Sequence, residues 1–358
     1  MISKKIITVV GARPNFLKAA PLLKELSSIN EVKNYVVHTG QHYDKNMSSS
    51  FFEDLDIAHP DFMLNTCSGT QSYQTANIMI EFENIYKKIK PDLVIVFGDV
   101  NSTMACSIVA KKMGCKLAHI EAGLRSFDRS MPEEINRIIT DSISDLFFIT
   151  EEEANSNLIN EGINRQNIFF VGNLMIDSLH YGLNKIKSRA KFNHNPYGLV
   201  TLHRPANVDD KLTLEEIILA LNEISLEIPL FFSVHPRTKK NLENFKINLS
   251  ENIKMLDAQP YLDFLHMMRD SKVIFTDSGG IQEESTVLKI PCYTLRNNTE
   301  RPITIDFGTN FLASNNKNKI LKTFKKNRFL INRSYKLPQY WDGNSAKRIT
   351  KKIMEVIL

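Results

Sequence analysis

Short runs of apolar residues, many of them β-branched or aromatic, alternate along this chain with longer stretches in which apolar positions recur every three or four residues. The runs at 6–10, 35–37, 93–97, 117–120, 146–149 and 168–171 are nearly continuous in hydrophobicity, the pattern of strands covered on both faces. The stretches at 19–26, 73–88, 103–113, 135–143 and 154–161 carry the helical period instead. Strands alternating with helices in this way predict a parallel sheet with crossover helices. A polar, helical connection follows over about 174–195, and the alternation restarts with strands at 199–202, 230–234, 273–275 and 292–295. The break Asn193-His194-Asn195-Pro196 marks the start of this second sheet. The fold class read from the pattern is therefore α/β with two domains, and neither a solenoid period nor a low-complexity segment is present.

Bulk composition narrows the function more than the fold. A length of 358 residues suits two α/β domains with well-filled cores. A net charge of +5 on this length is mild, so no nucleic-acid partner is expected. Basic residues thicken between Lys317 and Lys336, but apolar residues interleave with them at helical spacing, which reads as a solvated helix face. Cys67, Cys106, Cys115 and Cys292 form no C-x-x-C pair, consistent with four separate thiols in a reducing compartment and with no metal. The apolar run after Lys4-Lys5 is too brief for a signal peptide, and no stretch approaches bilayer length. A cytoplasmic protein without a membrane partner is expected.

The polar residues concentrate where chemistry belongs in such a sheet. Ligands of open parallel sheets bind beyond the carboxyl ends of the strands. Those ends here carry Gly11-Ala12-Arg13-Pro14, Gly40-Gln41-His42, Gly98-Asp99, Glu121-Ala122-Gly123, His203-Arg204, His235-Pro236-Arg237 and Asp277-Ser278-Gly279. Strand-end loops are polar in any protein, so each cluster alone reads first as a turn; their recurrence in both halves points to ionisable groups directed at one gap. The segment Thr276-Asp277-Ser278-Gly279-Gly280-Ile281-Gln282-Glu283-Glu284 is the most informative of them. A strand turning through two glycines into a helix offers unpaired N–H groups and a positive dipole end to a diphosphate, although an ordinary serine-capped turn has the same residues. Glu284 falls about one helical turn past Gly280, within reach of a ribose held beside such a diphosphate.

Arg13, Lys18 and Arg301 are cations suited to neutralising a diphosphate leaving group in place of a metal, with surface salt bridges as the other reading. Asp99 and Glu121 abut very apolar strands, where desolvation and mutual repulsion would tune them as an acid or base. Buried structural carboxylates are the alternative. Ser130-Met131-Pro132-Glu133 spells a capped helix start, and Glu133 with Arg137 has the spacing of an i,i+4 pair, so Glu133 reads first as a cap. His203 is a lone imidazole at a strand end beside Arg204.

These clusters, in order, resemble the non-hydrolysing UDP-N-acetylglucosamine 2-epimerases of bacteria across nearly the whole chain. The matching segments are Val10-Gly11-Ala12-Arg13-Pro14 with Lys18, Gly40-Gln41-His42, Phe97-Gly98-Asp99, His119-Ile120-Glu121-Ala122-Gly123-Leu124-Arg125 and Pro132-Glu133-Glu134-Ile135-Asn136-Arg137. His203-Arg204, the Thr276 to Glu284 segment and Thr299-Glu300-Arg301-Pro302 complete the set. The resemblance implies a glycosyltransferase-B-type fold: two Rossmann-like domains facing a cleft, 1–172 and 173–342, with a last helix in 343–358 crossing back onto the first, usually in a homodimer. It implies interconversion of UDP-N-acetylglucosamine and UDP-N-acetylmannosamine through 2-acetamidoglucal, without a cofactor, in the supply of surface-polysaccharide precursors. By motif it assigns catalysis to Asp99, Glu121, Glu133 and His203, and UDP binding to Arg13, Lys18, His235, Ser278, Gly279, Gly280, Glu284 and Arg301. Here the resemblance overrides the cap reading of Glu133, since a first-turn carboxylate can cap and still face a ligand.

Two departures bear on substrate and regulation. Many bacterial members carry arginines that help bind a second, activating substrate molecule, and those positions look like Tyr43 and about Thr70 here. The residues around His42-Tyr43-Asp44, Asn46-Met47-Ser48 and Arg125-Ser126-Phe127 look like relatives acting on UDP-2,3-diacetamido-2,3-dideoxyglucuronate. Gln282-Glu283-Glu284 looks more like the N-acetylglucosamine enzymes. A glycosyltransferase of the same fold is a further alternative.

Overall fold

The computed structural model describes residues 3–11, 13–40, 54–66, 69–193, 195–327 and 336–358, and the side chains of all of these except 13 and 14. The chain divides into two compact units, Met1–Tyr181 with Gln339–Leu358, and Gly182–Pro338.

In the first unit the strands are β1 (Lys4–Val10), β2 (Val32–His38), β3 (Phe62–Met63), β4 (Leu93–Phe97), β5 (Lys116–Ile120), β6 (Leu146–Ile149) and β7 (Ile168–Phe170). They form one parallel sheet in the order β3-β2-β1-β4-β5-β6-β7. Ile6 pairs with Leu93 across β1 and β4, where the strand order reverses. That reversal is the topological switch point of a doubly wound sheet. Every residue of β4 is buried, as a central parallel strand requires. One face of the sheet packs Ile7, Val9, Val94 and Val96 against Ile78, Phe82, Tyr86 and Ile89 of the helix Gln71–Ile89. Those four helix residues recur at spacings of three and four and so share a face. Emptying such a packed site, as in Phe82→Ala, costs about 3–5 kcal/mol.

The last helix, Ser345–Ile357, belongs to this unit. Its first N–H groups, at Ser345 and Ala346, donate to the buried carboxylate of Asp177 at 3.2 and 2.8 Å. The acid thus satisfies donors that a helix start leaves unpaired and complements the dipole there.

The second unit contains β8 (Gly198–Thr201), β9 (Leu230–Val234), β10 (Ile253–Asp257), β11 (Val273–Thr276), β12 (Cys292–Thr294) and β13 (Asn310–Leu312). Their order, β10-β9-β8-β11-β12-β13, repeats the connectivity of the first six strands of the other sheet, and all pairs are parallel. The switch point lies between β8 and β11. Phe275, Tyr293 and Phe311 stack across three neighbouring strands at centroid distances of 5.2 and 5.3 Å.

The helix Lys317–Asn327 buries Ile320, Leu321 and Phe324 and turns its lysines outward, the solvated face expected of that basic stretch. Cys106, Cys115 and Cys292 are free and buried, and Cys67 lies outside the described residues. Among the described residues no helix is long and apolar enough to cross a membrane.

Candidate active site

In the first unit the sheet's central strands end in turns that hold unusual backbone. β4 gives way to Gly98 at φ +62°, and β5 to Glu121 at φ +70°. A non-glycine residue in that region is strained and persists only when its surroundings fix it. They do so here: Gly98 N–H donates to Ile120 O at 2.9 Å, and the N–H groups of Glu121 and Ala122 both reach Phe148 O, at 2.9 and 3.2 Å. The Glu121 side chain is 7% exposed and pairs with the ammonium of Lys18, itself 12% exposed. A Cβ added at Gly98 would lie 3.5 Å from Glu121 Oε2 and 3.7 Å from Lys18 Nζ, so this ion pair rests directly against the Asp99 turn.

Asp99 is one-third exposed, its carboxylate 2.5 Å from Arg137 Nη2. Asn136 Nδ2 donates to the Asp99 carbonyl at 2.8 Å. Asp99 and Glu121 therefore each meet a cation. Arg137 also binds Glu134 at 2.6 Å, and Glu134 accepts the N–H groups of Ser126 and Phe127 at 2.9 Å each. Burial pushes the Glu134 carboxyl upward, but these hydrogen bonds prevail and hold it below the usual range.

The helix Pro132–Ile143 corrects two expectations about Glu133. Its N-cap is Met131, without a side-chain cap, while Ser130 Oγ donates to Asp128 at 2.6 Å. Proline fixes the first helical position one residue later than a serine cap would, so the Ser130 capping box does not form. Three-residue spacing then sets Glu134, not Glu133, over Arg137. Glu133 is half-buried in the first turn and makes no side-chain hydrogen bond or ion pair among the described residues.

In the second unit polar and charged groups gather at the β8 and β11 ends. Asp277, at 0% exposure, accepts the backbone N–H of His203 at 3.1 Å and of Arg204 at 2.9 Å, and Asn207 Nδ2 at 3.2 Å. Its Oδ1 is also 3.0 Å from His203 Nδ1. Burial alone would raise the Asp277 carboxyl, but the His203 ring and these N–H donors hold it below the ordinary aspartate value. An anionic Asp277 makes Nδ1 the donor and leaves Nε2 of His203 for chemistry on a ligand. The His203 side chain is 42% exposed, and the His235 ring centroid is 6.3 Å from its own. His235 caps the helix Pro236–Phe245, accepting Arg237 N–H at 3.2 Å.

The helix Gly279–Leu288 starts at Ser278 with no side-chain cap. A Cβ at Gly279 would meet no atom within 4 Å among the described residues. Its first turn thus presents N–H groups and the positive end of a dipole without a capping side chain. One turn on, Glu284 is buried and accepts Tyr261 Oη–H at 2.9 Å. Burial pushes its carboxyl up to about 8, opposed by the Tyr261 hydrogen bond and reinforced by the charge of Glu283. Glu283 in turn pairs with Arg301 Nε at 2.7 Å. Between them Glu300 meets Arg204 at 2.9 Å and Arg296 at 2.7 Å. Burial works against its charge, but Arg204, Arg296 and Arg301 outweigh it and hold the carboxyl down at about 2. Gln282 joins this loop to the helix by accepting Thr299 Oγ1 at 2.7 Å and Asn310 Nδ2 at 3.0 Å.

Lys18, Asp99 and Glu121 are thus neighbours in the first unit, with Glu133 on the helix whose Arg137 binds Asp99. His203 and His235 are neighbours in the second, where Ser278, Gly279, Gly280 and Glu284 share one strand-to-helix turn and Arg301 is tied to it through Glu283. The side chain of Arg13, together with Gln41, His42 and Tyr43, lies outside the described residues. In the sequence Arg137 reads only as a partner of Glu133 and Asp277 only as part of a strand-end turn, and Tyr261 has no role. Asp277 carried a signal in its place at the end of an apolar strand; Tyr261 carried none, because its partner Glu284 is 23 residues away.

Comparison with known proteins agrees over almost the entire length. A family model described as UDP-N-acetylglucosamine 2-epimerase matches residues 24–354. The UDP-N-acetylglucosamine 2-epimerase of Methanocaldococcus jannaschii is 42% identical over 364 residues, 97% of this chain and 98% of that one. A crystal structure of the Methanocaldococcus jannaschii UDP-GlcNAc 2-epimerase in complex with UDP-GlcNAc and UDP superposes with a TM-score of 0.89 at 40% identity, covering 98% of this chain and 99% of that one. A UDP-2,3-diacetamido-2,3-dideoxy-D-glucuronate 2-epimerase of Pseudomonas aeruginosa is 40% identical over 313 residues, 86% of this chain and 88% of its own. The two Rossmann-like units are those of a glycosyltransferase-B-type fold. The chain belongs to the UDP-N-acetylglucosamine 2-epimerase family.

Proposed function

We propose that this protein reversibly epimerises UDP-N-acetylglucosamine at C2, giving UDP-N-acetylmannosamine for a surface polysaccharide. A base removes the C2 proton while the C1–O bond to UDP breaks, leaving 2-acetamidoglucal with a C1–C2 double bond. UDP then re-adds to C1 through a phosphate oxygen, and an acid returns a proton to the opposite face of C2. Proton traffic on two faces needs more than one acid/base group. Asp99, Glu121, Glu133 and His203 are assigned to it. Arg13, Lys18, His235, Ser278, Gly279, Gly280, Glu284 and Arg301 are assigned to holding UDP through the elimination, and no metal or organic cofactor takes part.

The observation that carries this reading is the strand-to-helix turn at Asp277-Ser278-Gly279. There a helix start without a side-chain cap is one residue from the carboxylate that orients the His203 imidazole. A diphosphate site and a proton-transfer group are therefore built on the same few residues. Incubation with UDP-N-acetylglucosamine in heavy water, followed by NMR, tests it. Deuterium at C2 in a gluco/manno mixture with UDP retained is expected. Release of free N-acetylmannosamine would indicate a hydrolysing enzyme, and absence of exchange would leave transfer or simple binding.

The Pseudomonas aeruginosa relative supports a second reading, in which the sugar is UDP-2,3-diacetamido-2,3-dideoxyglucuronate. Such a sugar brings an extra carboxylate, whereas Gln282-Glu283-Glu284 in this chain looks more like the N-acetylglucosamine enzymes. The N-acetylglucosamine substrate is therefore preferred, and comparing kcat/KM for the two sugars decides between them. Thr70 accepts the Tyr73 N–H at 3.3 Å as a helix cap, and with Tyr43 it stands where an activating-site arginine is found in bacterial members. Hyperbolic dependence of rate on substrate is expected, from a homodimer that light scattering would identify.

A further inference from the structure

His119 is an anomaly in its strand. β5 is otherwise apolar inside, and residue 119, paired with Val96 and Phe147 on its two neighbours, is fully buried. An imidazole in such a place is costly unless both ring nitrogens find partners. Nε2 is 2.8 Å from the carbonyl oxygen of Gly98, and Nδ1 is 2.6 Å from Asp141 Oδ1. The second oxygen of Asp141 accepts the N–H of Gly123 at 3.1 Å and lies 2.7 Å from Arg125 Nη2. Arg125 continues to Glu161, at 2.7 Å from Nε and 2.6 Å from Nη2. Burial pushes the Asp141 carboxyl up, but His119 and Arg125 outweigh it and hold it below the ordinary value, so Asp141 is an anion. A carbonyl oxygen and a carboxylate only accept. Both ring nitrogens therefore rest against acceptors, and the ring ties Asp141 to the Gly98 turn.

The two ends of this buried chain reach two particular turns. Gly98 O belongs to the residue before Asp99, and Gly123 N to the second residue after Glu121. Gly98, Glu121 and Gly123 all have left-handed backbone, at φ +62°, +70° and +77°, so these turns stay in place only if held. We propose that His119 and Asp141 are a positioning pair: a buried imidazole–carboxylate hydrogen bond that sets the Asp99 turn through the Gly98 carbonyl and the Glu121 turn through the Gly123 amide, and so fixes the spacing of two acid/base carboxylates. Neither residue touches the substrate. This rests on the assignment of Asp99 and Glu121 to proton transfer.

The test combines His119→Gln, Asp141→Asn and the double variant with a measurement on the wild-type protein. Glutamine keeps one N–H for Gly98 O but cannot bridge to Asp141. Each single variant is expected to lose about tenfold or more in kcat while KM stays within about threefold and UDP still raises Tm. The double variant should lose little more than either single one, as members of one unit do. Folded single variants with kcat within twofold of wild type would overturn the positioning role. Should they fail to fold, nitrogen-15 NMR of histidine-labelled wild type still decides: a histidine ring N–H that exchanges slowly is expected, and rapid exchange of every histidine ring N–H sinks the pair. If wild-type protein gives no C2 exchange, the reaction assignment has failed, and the NMR result then reports on the pair by itself.

Discussion

The Nδ1 of His203 lies 3.0 Å from Oδ1 of Asp277, and that carboxylate also takes the backbone N–H groups of residues 203 and 204, at 3.1 and 2.9 Å. One buried anion therefore fixes both the loop after β8 and the orientation of the imidazole. Asp277→Asn sets an amide among donors and leaves part of them unpaired, a cost of about 1–3 kcal/mol. The kcat should fall by about 10²–10⁴ if His203 moves a proton, with KM changing little. The acid behaviour follows from the depressed carboxyl of Asp277. A lowered folded-state pKa gives stability that is present above the unfolded value near pH 4 and lost as pH falls through the folded one. The Tm gap between wild type and Asp277→Asn should therefore be full at neutral pH and narrow below about pH 4; a gap independent of pH across that range would contradict the pairing.

Lys18 and Glu121 form a second, largely buried pair, whose charges meet against the Gly98 turn. Lys18→Met removes the cation beside a buried carboxylate and should cost about 3–5 kcal/mol in urea titrations. Lys18→Met/Glu121→Gln removes both charges and should recover part of that loss, while staying inactive in the exchange assay. A double variant no more stable than Lys18→Met would show that the pair does not hold this turn.

The central architecture was legible because buried parallel strands cannot hide: β1, β4, β5 and β6 are hydrophobic nearly throughout. The strands that were not predicted, β3, β10 and β13, are all at sheet edges. β3 has two residues, and β10 reads Ile-Lys-Met-Leu-Asp with only Ile253 buried, so neither bears a period that sequence reading can detect. The candidate site divides in the same way. Asp99, Glu121, His203 and the Ser278 turn stood out because they end apolar strands. Arg137 and Tyr261 did not, because what makes them relevant is a partner 38 or 23 residues away. The Glu133 cap was misread because Ser130-Met131-Pro132-Glu133 satisfies two start signals at once, and the proline, not the serine, sets the register.

Glu284 should leave a signature on the alkaline side. Its folded carboxyl is pushed up to about 8 by burial, so the contribution has the opposite sign from that of Asp277. It is fully present below the unfolded value near pH 4 and is lost as pH rises to about 8, at a slope of about 1.4 kcal/mol per pH unit. Glu284→Gln removes this dependence. Relative to wild type, its Tm without nucleotide should gain steadily from pH 5 to pH 8. A constant offset over that range would mean that the carboxyl ionises normally. If the ribose hydroxyls bind this group, Glu284→Ala should also weaken UDP about tenfold or more in calorimetry.

Gly279 separates the requirements of folding from those of binding. A methyl group there meets no atom within 4 Å among the described residues, and the backbone is not left-handed. Gly279→Ala should therefore leave the fold intact and raise stability by about 0.4–1 kcal/mol, since alanine has fewer unfolded conformations to lose. A diphosphate lying on the first turn of that helix needs close approach to the same N–H groups. The methyl group would stand in its way, and UDP affinity should drop about tenfold or more in titration calorimetry even as the melt rises. No packing effect moves stability and affinity in opposite directions in this manner, because anything that damaged the turn would lower both. If Gly279→Ala binds UDP as tightly as wild type, the nucleotide does not sit on this helix, and the glycine at its start reflects the turn alone.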